Sequence, residues 1–160
     1  MNITFDLILD MLIEILAAFA GTFAYGFLFN IRGKKLILGA IGGMLAWAMV
    51  LVLRCFNIHE VLIYFAVSLV MTVYSEVLAR IVKTPSTTFC IVTLVSLIPG
   101  GTLYYAMSYA LRGDTEMFAQ KAILTLQLSI ALSIGIVLVT ACSRYAARYR
   151  ARHKIKKYDQ

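Results

Sequence analysis

The sequence contains few charged residues and few prolines, and both shortages restrict what the chain can be. Only 14% of its 160 residues are charged, whereas soluble domains average about 25%. Apolar residues make up 61%, and a soluble chain of this length could not hide that much apolar surface from water. Two prolines exclude a collagen-like or low-complexity chain. The composition therefore excludes a soluble enzyme and a disordered chain, and it predicts an all-α integral membrane protein.

Motifs for catalysis, metal binding and cofactor binding are also absent from the sequence. There is no HExxH, Walker or dinucleotide-binding motif and no Ser-His-Asp set. His59 and His153 have no catalytic partner nearby in the sequence. Cys55, Cys90 and Cys142 are far apart and lack CxxC spacing, so we expect small apolar side chains rather than metal ligands. We expect a protein that is not an enzyme and that uses no metal and no cofactor.

The apolar residues form five runs, each close to the ~20 residues that a membrane-spanning helix requires. Open sheet edges cannot lie in hydrocarbon, so we predict helices rather than strands. They cover approximately residues 5–29, 36–53, 61–82, 86–111 and 118–142. The first run carries aspartates and no preceding Lys or Arg, so we expect a retained helix rather than a signal peptide. The chain then divides into a five-helix transmembrane domain, 1–142, and a basic cytoplasmic tail, 143–160, into which the fifth helix can extend.

Lysine and arginine are unequally divided between the two sides that five spans define. With the N-terminus outside and the C-terminus in the cytoplasm, twelve of them lie inside and only Arg54, Arg112 and Lys121 lie outside. Cytoplasmic loops carry such an excess of positive charge. Topology thus accounts for the net charge of +7, and we expect no nucleic-acid binding. The basic tail is expected to contact anionic membrane lipids or a partner protein, and the chain is expected in the cell (inner) membrane as a multi-pass protein.

The sequence Pro99-Gly100-Gly101 lies near the centre of the fourth predicted helix. Proline lacks an N–H group and clashes with the preceding turn, and glycine favours unwinding. The pattern predicts that the fourth helix is broken at Pro99–Gly101, with a second half-helix starting near Thr102. Transporters use the free amides of such a half-helix to bind a substrate carboxylate. The predicted substrate-binding residues are Ser96, Pro99, Gly100, Gly101, Thr102 and Tyr105. The alternative is a kink that only shapes helix packing.

Two acidic residues in predicted spans are candidates for proton or ion coupling. Glu14 follows Asp10 by one helical turn and should lie about 5 Å from the membrane midplane, given a rise of about 1.5 Å per residue. Carboxylates at that depth are costly and usually functional. Glu76 precedes Arg80 by four residues, an order that favours an intrahelical ion pair. That pair could be purely structural, although Ser68, Thr72, Ser75 and Glu76 also form a polar stripe that could line a cavity.

Four stretches of this sequence together resemble the small, YjjB-like half of the threonine/serine exporter (ThrE) family. They cover most of the chain, and their order and spacing are more specific than any one of them. Ser96 stands where the family usually has a second proline. The stretches are residues 27–30 (FLFN), 39–47 (GAIGGMLAW), 75–87 (SEVLARIVKTPST) and 97–107 (LIPGGTLYYAM).

The resemblance implies one subunit of a split transporter. Family members fuse two five-helix halves or encode them as separate chains, and the larger half carries an extra soluble domain. The expected function is export of a small amino acid, threonine or serine, or of a related carboxylate. The expected partners are a larger YjjP-like membrane subunit, copies of this chain, or both. A membrane scaffold that transports nothing and a channel are the alternative functions.

Overall fold

The computed structural model describes the backbone of residues 2–158 and the side chains of residues 8–147 and of Tyr149. This part of the chain is helical and contains no strand. A 3₁₀ turn, Val95–Leu97, follows α4 directly. The helices are α1 (Asn2–Leu28), α2 (Lys34–Arg54), α3 (Glu60–Val82), α4 (Ser86–Leu94), α5 (Gly100–Leu111) and α6 (Thr115–Tyr158).

The all-helical membrane fold predicted from composition is confirmed. The helices α1, α2, α3 and α6 are each long and apolar enough to cross a bilayer. The segments Ser86–Leu97 and Gly100–Leu111 meet the same requirement only together, with a bend of 49° between them. The described residues therefore contain four spans, or five when this bent pair is counted as one broken span. The helix α6 continues to Tyr158, so the basic residues after Cys142 extend the last spanning helix.

Short turns place the ends of the helices at two opposite ends of the bundle. The basic end contains the α1–α2 and α3–α4 turns, with Arg32, Lys34 and Lys83. Lys83 ends α3 in the left-handed conformation, and its N–H donates to the carbonyl of Ala79. The opposite end contains the α2–α3 turn, where Arg54 and Glu60 form an ion pair at 3.0 Å, and the α5–α6 turn.

Small residues allow the helices to approach closely. The missing side chain of Gly43 on α2 leaves room for the Thr22 side chain of α1, and that of Gly135 on α6 leaves room for Ser68 of α3. A Cβ on Gly42 would lie 2.7 Å from Thr93 Oγ1 of α4. Small residues have this function in membrane helices, where apolar burial gives little net drive for association.

The main core lies where α2, α3, the 3₁₀ turn and α6 meet. Its buried side chains include Val50, Ile63, Val67, Leu97 and Leu128. The helix α5 packs along α6 and makes no extensive contact with α1, α2 or α3. Likewise α4 packs on α2 and α3 but has no extensive contact with α6. These two gaps in the packing leave a cavity on each side of the interrupted fourth span.

Candidate functional site

The fourth span is interrupted because proline constrains its own backbone and that of the residue before it. Ile98 has ψ 125°, the extended conformation that a following proline favours. The Ile98 N–H still donates to the Val95 carbonyl at 3.3 Å. The Gly100 N–H donates to the Ile98 carbonyl, two residues earlier, at 2.6 Å. The helix α5 begins at Gly100 rather than near Thr102, so both glycines lie in its first turn.

The first turn of α5 carries backbone N–H groups without acceptors. Pro99 precedes the helix and provides no side-chain cap. Among the described residues, no group accepts a hydrogen bond from the N–H of Gly101 or Thr102. The Thr102 hydroxyl donates backwards to the Pro99 carbonyl at 2.9 Å. The start of α5 is therefore a region of positive partial charge inside an apolar span.

Cavity 1 lies on one side of the break, between α1, α2 and the start of α5. Its volume is about 570 Å³, within the range of small-molecule sites. Its wall combines a carboxylate, hydroxyls and aromatic rings with small residues that leave space. It is lined by Glu14, Ala17, Ala18, Gly21, Thr22, Tyr25, Trp47, Val95, Ser96, Ile98 and Gly100.

A chain of contacts links the Glu14 side of cavity 1 to the opposite end of the bundle. The indole N–H of Trp47 donates to Glu14 Oε2 at 3.0 Å. The Arg54 guanidinium lies 5.7 Å from the centre of the Trp47 ring, a cation–π contact. Arg54 in turn pairs with Glu60. These contacts hold the Glu14 carboxylate toward α2 and supply it with a hydrogen-bond donor.

Cavity 2 lies on the other side of the break, between α4 and α6, against α3. Its volume is about 410 Å³. Val95 and Ile98 line both cavities, so the interrupted segment of the fourth span separates them. The lining residues are Thr72, Ser75, Glu76, Ser86, Thr87, Cys90, Ile91, Leu94, Val95, Ile98, Ile136, Thr140 and Arg144.

The predicted Glu76–Arg80 pair is present, with Arg80 NH2 3.7 Å from Glu76 Oε2. The Arg80 side chain is largely exposed, whereas that of Glu76 is mostly covered. Of the predicted polar stripe, Thr72, Ser75 and Glu76 line cavity 2. Ser68 does not, because it is fully buried against α6.

The structure divides the predicted site residues between these places. Ser96, Gly100 and Glu14 line cavity 1, and Glu76 lines cavity 2. The Ser96 hydroxyl donates to the Gly43 carbonyl at 3.1 Å, which ties the 3₁₀ turn to α2. The other four predicted residues, Pro99, Gly101, Thr102 and Tyr105, form the break and the start of α5 and line neither cavity.

Several residues that line the two cavities were not among the site residues predicted from the sequence. In cavity 1 these are Thr22, Tyr25 and Trp47, and in cavity 2 Arg144, which the sequence places in the cytoplasmic tail. Trp47 is the single tryptophan of the chain and lies on a glycine-rich helix. These two features could have indicated it as a site residue from the sequence. Nothing in the sequence places Arg144 in the same cavity as Glu76, because that depends on how α6 packs against α3.

The fold and the interrupted span define a multi-pass membrane protein with a discontinuous helix between two open cavities. A sequence model of the family described as "Threonine/Serine exporter, ThrE" matches residues 14–142. The chain therefore belongs to the threonine/serine exporter family, a family of membrane transporters rather than enzymes. No match was found among curated proteins. No solved structure matches the chain either.

Proposed function

We propose that this chain is the small subunit of a two-component exporter that moves threonine, serine or a related carboxylate out of the cell. The observation that carries the proposal is the start of α5, where free amides lie next to a cavity that also contains a carboxylate. Family membership supports the exporter class. We also propose that this exporter is located in the inner membrane.

Cavity 1 has the chemistry to hold a zwitterion. The substrate carboxylate would lie at the start of α5, which borders cavity 1 at Gly100 and where the helix dipole favours negative charge. The substrate ammonium would lie toward Glu14, whose carboxylate already accepts the Trp47 indole N–H and retains further acceptor positions. The Ser96 hydroxyl faces the same space. Glu14 and Glu76 are the candidates for carrying a coupling proton.

The break also supports a mechanism of alternating access. Two cavities share Val95 and Ile98, and the backbone around these residues lacks the regular hydrogen bonds of an α-helix. A change in the 49° bend between the two halves would move these side chains relative to each cavity. Transporters with discontinuous helices use rigid-body movements of this kind.

A partner subunit would close cavity 1 on its open side. Since α5 makes no extensive contact with α1 or α2, Glu14 and the free amides would face lipid through the gap between these helices. Unsatisfied polar groups in hydrocarbon are costly. Only 11% of the apolar 18-residue stretch of α1 is buried, against 44% of the corresponding stretches of α2 and α3. A larger YjjP-like subunit or a second copy of this chain would supply the missing cover.

Replacement of the break residues tests the proposal. Pro99→Ala restores an N–H group, and Gly100→Val adds bulk at a position where no atom lies within 4 Å of an added Cβ. Both should reduce threonine export by about tenfold, the effect of losing hydrogen bonds to a charged group, while the protein still inserts. Ser133→Ala is the control, because Ser133 donates only within α6 and lines neither cavity.

The measurement is intracellular threonine after a pulse of a threonine-containing peptide, with and without this chain and its partner. Unchanged efflux in both variants would contradict the proposal. Efflux that only follows the gradient and ignores the protonmotive force would indicate a channel, and no efflux in any strain would indicate a scaffold.

A further inference from the structure

Cavity 2 contains two opposite charges that the protein does not pair with each other. Glu76 and Arg144 both line it, yet among the described residues neither forms an ion pair with the other within 4.0 Å. Glu76 has only the long 3.7 Å contact with Arg80, and no described group donates a hydrogen bond to it at normal distance. The cavity therefore offers a carboxylate that is held only by the long Arg80 contact and a guanidinium that has no ion pair among the described residues.

A second source of positive charge lines cavity 2 together with Arg144. The helix α4 begins at Ser86, and Pro85 before it provides no side-chain cap. Ser86 and Thr87 line the cavity, so the uncapped start of a nine-residue helix borders the same space as the Arg144 guanidinium on α6. Helix-start amides and a guanidinium that border one cavity can together bind a carboxylate.

The α3 side of cavity 2 is suited to an ammonium group and a hydroxyl. Thr72 and Ser75 line it together with Glu76, and their hydroxyl protons are already used within α3, since Thr72 donates to the Ser68 carbonyl at 2.6 Å and Ser75 to the Met71 carbonyl at 2.9 Å. Each oxygen keeps a lone pair that can accept. The α3 side of cavity 2 thus contributes acceptors, and α4 and α6 contribute donors to the same cavity.

We propose that cavity 2 is a second binding site for the zwitterionic amino acid, separate from cavity 1 and on the basic side of the break. Glu76 binds the ammonium group, and Arg144 with the first amides of α4 binds the carboxylate. The volume of about 410 Å³ lies within the range of small-molecule sites. That the ligand is an amino acid rests on the proposed function, whereas the presence of Glu76 and Arg144 in one cavity does not depend on it.

Cys90 provides a native reporter, because its side chain lines cavity 2 and is partly accessible. Cys55→Ser and Cys142→Ser leave it as the only thiol in the chain. In the full-length protein purified in nanodiscs, threonine should slow labelling of Cys90 by N-ethylmaleimide. Threonine methyl ester, which lacks the carboxylate, and the corresponding deaminated hydroxy acid should each protect at least about tenfold less well.

Two substitutions test whether Glu76 and Arg144 are the residues through which threonine protects Cys90. Glu76→Gln and Arg144→Gln should each raise the half-protecting threonine concentration by about tenfold or more. Matched controls with the same chemical change outside the cavities are Glu116→Gln and Arg112→Gln, which should leave protection unchanged. Gly100→Val, at cavity 1, should also leave it unchanged. A threonine-dependent rise in melting temperature that is lost in the same two variants provides a second readout.

The outcomes separate the second site from the exporter function. Loss of export in Gly100→Val without any protection of Cys90 by threonine overturns the second site and leaves the exporter proposal standing. Protection of Cys90 by threonine without export in any strain supports the second site and contradicts the exporter proposal. Failure of Cys90 to react at all also overturns the second site, because the cavity then admits nothing of this size.

Discussion

At the scale of single residues, the Glu14 carboxylate shows why contacts across the bundle matter for chemistry. It lies on α1, yet its hydrogen bond comes from Trp47, which is 33 positions away on α2. An ionised carboxylate near a bilayer centre costs roughly 2.5–3.5 kcal/mol on insertion scales. A donor and a polar cavity offset that cost. The same contact holds the carboxylate at the edge of cavity 1, where the proposed substrate ammonium would meet it.

Removing the charge of Glu14 should impair transport more than removing the charge one turn earlier. Glu14→Gln keeps an acceptor for the Trp47 indole but loses the ion pair with substrate, so export should fall by about tenfold. Asp10→Asn is the matched control, because Asp10 does not line cavity 1. Radiolabelled threonine efflux measures both. Equal, wild-type rates would remove Glu14 from the site.

At the scale of helices, the bundle depends on contacts in which a glycine of one helix receives a side chain of another. Gly43 of α2 receives Thr22 of α1, and Gly135 of α6 receives Ser68 of α3. The glycines of α5 differ, because no atom lies within 4 Å of a Cβ added to Gly100 or Gly101. Glycine therefore permits close packing in α2 and α6 and an open helix start in α5.

Alanine substitutions should separate these two functions of glycine. Gly43→Ala forces α1 and α2 apart and should cost about 1–3 kcal/mol of stability, the usual penalty for overpacking. Gly101→Ala meets no neighbour and should leave stability unchanged or slightly higher, since alanine is the better helix former. Unfolding of the purified protein in detergent, followed by the fluorescence of Trp47, gives both values. Equal stability of the two variants would contradict this packing.

At the scale of the whole molecule, the asymmetry of charge predicts how the bundle lies in the membrane. The basic end and the extended α6 carry most of the lysine and arginine. The cytoplasmic leaflet is negatively charged and attracts such segments. With this end inside, cavity 2 lies toward the cytoplasm and cavity 1 toward the outside. An exporter would then bind its substrate first at Glu76 and Arg144.

Two native cysteines can test the orientation. Cys55 lies in the α2–α3 turn and Cys142 on α6 toward the basic end, and both are exposed. With one cysteine present at a time, an impermeant maleimide added to intact cells should label Cys55 and spare Cys142. Permeabilised cells should show labelling of Cys142. The reverse pattern in intact cells would invert the topology and exchange the positions of the two cavities.

The spanning helices and the break in the fourth one could be predicted because their causes are local. Apolar runs of sufficient length must become helices in a bilayer, since every backbone polar group needs a partner within the chain. Pro99 interrupts its helix through its own ring and missing N–H. The start of the second half at Gly100 differs from the predicted Thr102, because the turn at Ile98 and Pro99 already redirects the chain.

Only the tertiary structure decided which side chains share a cavity. In cavity 1 Glu14 of α1 accepts a hydrogen bond from Trp47 of α2. Cavity 2 is lined by both Glu76 of α3 and Arg144 of α6. Tyr105, which follows the break closely in the sequence, lies outside both cavities and is 55% exposed. The physical reason is that helix formation depends on neighbours along the chain, whereas a cavity depends on the register and tilt at which distant helices pack.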